Sequence, residues 1–448
     1  MEFKAFKEAV VKAAAELGIK EYELYYSASE GTSVDTFKDE INEFSSSVNG
    51  GACFRCIVDG KMGYASTEEL SDEQAVSVVK RAADNARVLE NNDKQFLVSG
   101  GEEYEPLELK PYPLPTTEEM IKTALEGQKA LYAADPAVID GTSTGVQIAK
   151  EVTNIFNSNG LDLSYENSMA VFFAAPVVTD GKEMSNEFDF KIGDLSELDL
   201  KDVAEKTVKE AKDMLGADVA PTGSYPVVFS PKAMTSLMGV YSGIFNSENA
   251  QKGLSRLLGK EGEKIAADIV TIVDDPFYKD SSMPINFDAE GSPTHCKSVV
   301  ENGVLKTLLY NLKTAHIAGV KTTGNASKAG YSSSVGIRPF TFYIAPGDVS
   351  EEELLKKAGN GVYITGLGGL HAGANAITGD FSLQSSGFMI EDGKKTKAVK
   401  SFTVSGNFYS LLNQITALSN EVVLPRPFGI TSFGSPTVLV EGLTVAGK

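Results

Sequence analysis

The chain has 448 residues, 42% hydrophobic and 23% charged, which is enough for two or three domains with sizeable cores. Its formal net charge of −20 would repel a phosphate backbone, and no Lys/Arg cluster with interleaved aromatic residues offsets it. Direct nucleic-acid binding is therefore excluded as an expected function. Only three cysteines, an N-terminus unlike a signal peptide and no apolar run suited to a bilayer predict a cytoplasmic protein without a membrane contact.

The first part of the sequence alternates between helical and strand patterns. Apolar residues at helical spacing predict one helix over residues 3–17 and another over residues 71–88. Four strands are predicted between them, at residues 22–29, 33–47, 51–59 and 61–66. The Asp59-Gly60 pair is typical of a hairpin turn. The pattern as a whole predicts an α-ββββ-α unit.

The same order of elements recurs after a Pro-rich segment, residues 106–115, that is typical of a linker. The predicted elements are helices over residues 117–133 and 200–215 and strands over residues 142–148, 151–158, 161–178 and 185–191. Predicted turns at residues 47–50 and 158–160 correspond between the two copies. We predict two duplicated units, about residues 1–100 and 116–216, with helices covering one face of an antiparallel sheet.

The second half differs in composition. Turn residues around positions 216–226 predict a domain boundary, giving an N-terminal α+β domain at residues 1–220 and a β-rich domain at residues 221–448. Within the latter, a helix is predicted over residues 232–245 and a hairpin over residues 297–309, with its turn at Asn302-Gly303. The predicted fold class is therefore α+β.

Two kinds of potentially reactive side chain have a plainer explanation. Asp274, Asp275, Asp288 and Glu290 could serve acid–base chemistry, but such residues next to Pro and Gly more often cap turns. Cys53 and Cys56 could form a metal or redox pair, but residues three apart on a strand point to opposite faces. We favour turn capping for the carboxylates and burial for the cysteines.

Standard catalytic arrangements cannot be built from local sequence. The three histidines, His295, His316 and His371, are isolated, and none is followed by Glu. No G-x-S-x-G nucleophile elbow and no phosphate-binding loop occurs. Cys296 follows His295 directly, which puts the two side chains on opposite faces of a strand. A site assembled from distant His residues and Cys296 stays open.

Residues 366–393 stand out, with seven glycines, His371 and a predicted hairpin turn at Asp392-Gly393. Together with other short motifs they give the chain a resemblance to the TldD/PmbA family, also called modulators of DNA gyrase. The resembling motifs are Asp274-Asp275-Pro276, residues 287–291 (FDAEG), Thr323-Gly324-Asn325, Gly379-Asp380-Phe381-Ser382, Ser386-Gly387-Phe388, Ile390-Glu391, Ser405-Gly406-Asn407 and Gly434-Ser435-Pro436. Arg55, Asp59-Gly60, Gly63-Tyr64 and residues 157–160 extend the resemblance to the first half.

The resemblance implies one of two kinds of subunit. The TldD kind carries an HExxxH helix and a late cysteine that hold a metal, and acts as a metalloprotease; the PmbA kind, or TldE, pairs with it and lacks these ligands. The corresponding region here, residues 237–249, contains no His, and Cys296 is the last cysteine. The chain is therefore similar to the PmbA kind. We expect no catalytic or metal-binding residue in it, and zinc in a TldD-type partner.

For function, the resemblance implies a cytoplasmic complex that cleaves unfolded or extended peptides, and a homodimer when the chain is alone. A self-sufficient hydrolase with scattered His and Cys, and a peptide-binding scaffold, are the alternatives. We expect a substrate-binding or interface role for seven residues: His371, Asn375, Thr378, Asp380, Asn325, Asp288 and Glu290. The alternative for the loop is that Asp380 caps a turn and His371 is a hydrogen-bonded core histidine.

Overall fold

The structure is a computed structural model that describes residues 2–90, 94–107, 109, 113–425 and 430–448. Part of the predicted linker, residue 108 and residues 110–112, lies outside the described residues. The helices are α1 (Phe3–Glu16), α2 (Asp72–Val88), α3 (Thr117–Ala134), α4 (Leu200–Asp213), α5 (Pro231–Tyr241), α6 (Ser247–Gln251), α7 (Leu312–Ala318), α8 (Glu351–Ala358), α9 (Leu370–Gly373) and α10 (Phe408–Asn413).

The strands fall into an N-terminal and a C-terminal group. The N-terminal strands are β1 (Glu21–Phe37), β2 (Glu40–Val58), β3 (Lys61–Thr67), β4 (Ser143–Asn157), β5 (Asp162–Ala175), β6 (Val177–Thr179), β7 (Met184–Asn186) and β8 (Asp189–Ile192). The C-terminal strands are β9 (Gly223–Phe229), β10 (Ile272–Asp275), β11 (Lys297–Glu301), β12 (Val304–Leu305), β13 (Ala326–Ser327), β14 (Gly336–Ile337), β15 (Thr341–Ile344), β16 (Gly361–Gly368), β17 (Asp380–Glu391), β18 (Lys394–Asn407), β19 (Ile415–Leu418), β20 (Ser432–Gly434) and β21 (Val438–Ala446).

The N-terminal sheet has the order β3-β2-β1-β4-β5-β8, and its pairings are antiparallel. The order is symmetric about the β1–β4 contact: each half supplies three sheet strands and two helices. Leu24 and Val34 lie on the same face of β1 and pack under α1–α2 and α3–α4 respectively. The predicted α+β class with an antiparallel N-terminal sheet is confirmed.

The number of strands in the first unit was predicted wrongly: three long strands replace the expected four. The turn lies at Lys38 and Asp39, with φ angles of 52° and 62°, inside the predicted strand over residues 33–47. The predicted turn at residues 47–50 instead lies within β2, where Gly50 pairs with Ala28. A Cβ on Gly50 would come within 2.7 Å of the Ala28 Cβ, so this glycine permits close strand approach rather than a turn.

The C-terminal part is rich in strands, as predicted. One sheet has the order β12-β11-β10-β15-β20, and in a second the β18–β21 pairing closes β18, β17, β16, β9 and β21 into a ring. Helix α5 packs with these strands in the largest core cluster. The face of the N-terminal sheet opposite its helices, including Tyr25 and Ile155, packs against Ile285, Phe287 and Phe340. No described helix combines the length and apolar character needed to cross a membrane.

Candidate functional site

A cleft of about 1160 Å³ lies between the N-terminal sheet and the C-terminal part. One wall is strand β8, which pairs with β5 on one side; in the described part of the chain no strand pairs with its other side. Helix α4 and the first residues of α5 line a second wall, and residues 277–282 line a third. The cleft therefore brings an open strand edge next to the start of α5.

The lining of the cleft combines aromatic rings with balanced charges. Phe188, Phe190, Phe277 and Tyr278 supply the rings. The Lys191 ammonium lies 3.0 Å from the Asp189 carboxylate, and Lys232 pairs with Glu187. The volume exceeds the upper end of ordinary small-molecule pockets, roughly 1,000 Å³. An open strand edge in a space of this size can bind an extended backbone by strand addition.

Helix α5 connects this cleft to the glycine-rich segment. Ser230 caps the helix at the cleft, where its hydroxyl accepts a hydrogen bond from the Ala233 amide at 3.2 Å. At the other end, the Tyr241 hydroxyl donates to the backbone carbonyl of Asp380 at 2.8 Å. The Tyr241 ring stacks on Phe408 with centroids 4.5 Å apart, and burial raises the pKa of Tyr241 to about 12. The C-terminal end of α5 is thus packed in a buried pair of stacked aromatic rings.

In the segment where the family resemblance places metal ligands, residues 237–249, the one side chain of a zinc-binding type is Glu248, and its carboxylate pairs with Lys252 at 2.7 Å. The large side chains of this segment, Leu237, Met238, Tyr241, Ile244 and Phe245, are buried and contribute to the apolar core. Within residues 2–90, 94–107, 109, 113–425 and 430–448, no group of three or more His, Cys, Asp and Glu side chains is placed to hold a metal ion. Zinc coordination needs such nitrogen, sulfur or oxygen ligands, so the residues present do not fit it.

The loop that carries four of the predicted site residues is exposed and internally hydrogen-bonded. The Asn375 carboxamide oxygen accepts from the Ile377 and Thr378 amides, so Asn375, not Asp380, caps the turn. The Asp380 carboxylate accepts from the Asn407 carboxamide at 2.8 Å, which lowers the pKa of Asp380. His371 lies in α9 and is exposed, so the core-histidine alternative is wrong. None of the four lines the described cleft.

The other three predicted residues, Asp288, Glu290 and Asn325, are buried. Glu290 belongs to a cluster around Arg55 of β2, which lies between two carboxylates. The Arg55 Nε is 2.7 Å from Glu23 Oε1, and its Nη1 is 3.9 Å from Glu290 Oε1. Glu23 is 2% exposed, Arg55 3% and Glu290 5%. Since β1 and β2 belong to the N-terminal sheet and Glu290 to the C-terminal part, this cluster ties the two together.

Asp288 caps the turn that presents Glu290, as the turn-capping interpretation predicts. Its Oδ1 accepts from the Glu290 and Ser292 amides at 2.9 Å each, and its Oδ2 accepts from the Ala326 amide. Burial, and next the Glu290 carboxylate, raises the pKa of Asp288. Burial also raises the pKa of Glu290, which Arg55 opposes. Both side chains are buried, and their substrate-binding or interface role stays a prediction.

Asn325 belongs to a second buried cluster, around Asp274. Asp274 Oδ2 accepts from Asn325 Nδ2 at 2.7 Å and from Lys297 Nζ at 3.0 Å, while Oδ1 accepts from the Phe340 amide at 2.7 Å. Asp274 and Asn325 are fully buried. Their hydrogen bonds fix the path of the chain next to β10 and β15, and the substrate-binding or interface role of Asn325 stays a prediction.

Several functional candidates have no signal in the sequence. The cleft residues come from β8, α4, α5 and two loops, and nothing local marks them as neighbours. No local sequence pattern identifies Lys328 either, although its Nζ lies 4.5 Å from the centroid of the Tyr25 ring. Glu23 could have been found, because it is an acidic residue in the apolar run of residues 22–26, and Arg55 interrupts a similar run on β2.

The surroundings of Cys296 disfavour the thiolate form that a nucleophilic cysteine needs. The residue is exposed, but partial desolvation and the Asp275 carboxylate raise the pKa of its thiol. The pKa of His295 is lowered, by desolvation and by Lys297. His316 packs against the Phe96 ring, 4.7 Å away, rather than toward a thiol or carboxylate. An activated thiol requires the opposite shift.

We expect Cys296 to react with iodoacetamide at pH 8 more slowly than free cysteine does, because a raised pKa lowers the thiolate fraction. Asp275→Asn removes the nearest carboxylate and should speed the reaction several-fold. Mass spectrometry resolves modification at Cys296 from the buried Cys53 and Cys56. Faster alkylation than free cysteine, with no effect of the substitution, would contradict this account and revive a thiol nucleophile.

Comparison with family models identifies the family to which the chain belongs. Three family models match consecutive parts of the chain: PmbA/TldA metallopeptidase domain 1 over residues 22–86, the central domain over residues 110–215 and the C-terminal domain over residues 222–447. The chain therefore belongs to the PmbA/TldD family of metallopeptidase-related proteins, as its motifs predict. The predicted domain division stays a prediction, although these matched ranges follow the same order.

Particular relatives are similar over nearly the whole chain. Metalloprotease PmbA of Escherichia coli O157:H7 is 25% identical over 411 residues, covering 89% of this chain and 87% of that protein. TldE of Thermococcus kodakarensis has a TM-score of 0.87 and 26% identity, and TM0727 of Thermotoga maritima has a TM-score of 0.89 and 31% identity. Each match covers 99% of this chain and 100% of the other.

Proposed function

We propose that this chain is a PmbA/TldE-type subunit of a cytoplasmic peptidase complex, in which a TldD-type homologue supplies the zinc and the catalytic residues. One observation supports this proposal above the others. Where the family resemblance places a metal-binding helix, α5 ends in a buried stack of Tyr241 on Phe408, and the Tyr241 hydroxyl is held by the Asp380 carbonyl. This apolar stack stands where a zinc site would need nitrogen, sulfur or carboxylate ligands.

The substrate class we propose is an unfolded or extended peptide. The cleft beside β8 supports it, since an unpaired strand edge offers backbone donors and acceptors at the spacing of a peptide strand. Aromatic rings such as Phe188 and Tyr278 can contact side chains of varied sequence without selecting one. In the complex this chain would bind or guide the peptide, and the partner would cleave it.

The exposed loop with His371, Asn375, Thr378 and Asp380 is proposed as a contact with the homologous partner. Its hydrogen bonds, from the Asn375 cap to the Asp380–Asn407 pair, hold it in one conformation before any partner arrives. A rigid exposed loop loses little conformational freedom on association. For Asp288, Glu290 and Asn325 we propose structural support instead, because these side chains are buried.

The proposal is tested by cleavage of unfolded casein with this chain alone, a purified TldD-type homologue alone, and both together. We expect this chain alone to be inactive and the mixture to exceed the homologue alone by about tenfold or more, a change worth ~1.4 kcal/mol of transition-state stabilisation. A homologue with its two motif histidines replaced by alanine is the control and should abolish the gain.

Each alternative function corresponds to a different outcome of this assay. Cleavage by this chain alone, retained when the homologue is omitted, would establish a self-sufficient hydrolase and end the proposal. Casein binding without any gain from the homologue would establish a peptide-binding scaffold. The position of Cys296 among carboxylates disfavours the first of these, since it opposes thiolate formation.

A further inference from the structure

A small second cavity lies between the N-terminal sheet and the C-terminal part of the chain. Its volume of about 40 Å³ has room for about three water-sized groups, at ~10–15 Å³ each. Tyr25 of β1 and Thr153 of β4 line it from the sheet, and residues of the β13–β14 hairpin line it from the other side. In the described part of the chain no residue lines both this cavity and the cleft beside β8, so the two are separate.

Two cations line this cavity without a carboxylate partner. Lys328 directly follows β13 and Arg338 directly follows β14, so the hairpin brings both to the same cavity. Lys328 is only 9% exposed, and the Arg338 Nε is buried with no hydrogen-bond partner among the described residues. Neither side chain forms an ion pair with a described residue, whereas the similarly enclosed Arg55 and Lys297 have carboxylate oxygens at 2.7 and 3.0 Å.

The contacts that these two cations do make offset only part of the cost of burying them. The Lys328 Nζ lies 4.5 Å from the centroid of the Tyr25 ring, and an Arg338 Nη2 donates a long hydrogen bond of 3.4 Å to the Lys328 carbonyl. Burial lowers the pKa of Lys328 even though Glu23 and Glu290 act on it from a distance. An aromatic face attracts a cation, but a desolvated charge is fully compensated only by a hydrogen-bonded partner of opposite sign.

The acidic residue on the cavity wall, Asp288, does not supply that partner. Its Oδ1 accepts from the Glu290 and Ser292 amides and its Oδ2 from the Ala326 amide, each at 2.9 Å, so the carboxylate stabilises its own turn. Glu151 opposes the lowered pKa of Arg338, but the two side chains form no ion pair. The two cations therefore keep donors available on the cavity wall.

We infer that this cavity is a carboxylate-binding site, in which the Lys328 ammonium and the Arg338 guanidinium hold one carboxylate group. The guanidinium fork matches the two oxygens of a carboxylate, and Tyr25 and Thr153 carry further hydroxyl donors on the same lining. A carboxylate has three heavy atoms and matches the volume, whereas the five of a phosphate exceed it. The carboxylate belongs either to a small free acid or to the C-terminus of a peptide. The inference does not depend on the proposed peptidase role.

Equilibrium dialysis of the purified chain against radiolabelled acetate tests the site, in a carboxylate-free buffer that contains excess sodium chloride. The unmodified chain should bind acetate saturably, and Lys328→Met and Arg338→Met should each weaken binding by about tenfold or more, because each removes a charged donor. Lys321→Met, which removes an exposed lysine of the same part of the chain, should leave binding unchanged. Circular dichroism checks that each variant is folded.

Three results would overturn the inference. They are the absence of saturable acetate binding by the unmodified chain, undiminished binding by a folded Lys328→Met or Arg338→Met chain, and displacement of acetate by chloride or inorganic phosphate. The first is decisive even where a variant fails to fold, since it needs no substitution.

Competition separates the two sources of the carboxylate. An N-acetylated dialanine with a free C-terminus and its C-terminal amide are each added to the chain with bound acetate. Displacement by the free acid alone identifies a peptide C-terminus as the ligand, and displacement by neither identifies a small free acid; both results support a carboxylate site. Displacement by the amide would contradict it, because recognition would then not require the carboxylate.

Discussion

Replacing Arg55 by Met is expected to lower the free energy of unfolding by about 3–5 kcal/mol, the cost of breaking a buried ion pair by removing one partner. The Arg55 side chain is 4% exposed and lies between the Glu23 and Glu290 carboxylates. Methionine fills much of the same volume but leaves both carboxylates without their cation in a desolvated site. Urea denaturation followed by circular dichroism measures the change.

Arg87→Met is the control for this substitution. Arg87 is 52% exposed and pairs with Asp84 at 2.8 Å on the surface of α2, an interaction worth ~0–1 kcal/mol. Adding Glu23→Gln to Arg55→Met removes one of the stranded charges and should recover part of the loss. Similar small effects for Arg55 and Arg87, or no recovery, would show that the buried cluster does not join the two parts of the chain.

Gly387→Ala is expected to destabilise the chain by about 3 kcal/mol, at the upper end of the cost of inserting a methyl group into packed structure. Gly387 lies in β17 opposite Ile364 of β16. A Cβ there would lie 1.9 Å from the Tyr363 carbonyl oxygen and 2.9 Å from its carbon. These are backbone atoms that cannot rotate away, so the strands must separate. Differential scanning calorimetry should show the midpoint falling by several degrees.

Gly368→Ala in the same pair of strands provides the comparison. A Cβ at this position meets the Gln384 Cβ at 3.7 Å, an ordinary contact, and the backbone is not left-handed. This substitution should be neutral or slightly stabilising, since alanine reduces the conformational freedom of the unfolded chain. Equal destabilisation by both substitutions would show that loss of glycine itself, rather than the clash at Gly387, sets the cost.

Hairpin turns were predictable where the turn residues themselves favour the backbone conformation that the turn needs. The pairs Asp59-Gly60, Asn302-Gly303 and Asp392-Gly393 all form the predicted hairpin turns, with positive φ at both residues. The Lys38-Asp39 turn was not predicted, because it lacks the glycine at the second position that marks the other three and Lys is not typical of this conformation. Asn49-Gly50 is the opposite case: pairing with β1 keeps a turn-like dipeptide extended.

The candidate site was predicted only in part, because its residues meet through tertiary contacts. Local sequence identifies Asp288 as a turn cap, but not that the turn brings Glu290 to Arg55 on a strand of the other half. Residues 366–393 were correctly singled out as glycine-rich, although Gly387 serves close strand packing rather than a reactive loop. The cleft beside β8 depends on how the halves dock, which no local pattern encodes.

The central claim is that this chain is the subunit without its own metal site, and its metal content tests that claim most directly. Inductively coupled plasma mass spectrometry of the purified chain, after dialysis against excess zinc and removal of free metal, should find far less than one zinc per chain. A TldD-type homologue treated in parallel should retain about one, as expected of a catalytic zinc site. One firmly bound zinc per copy of this chain would contradict the account.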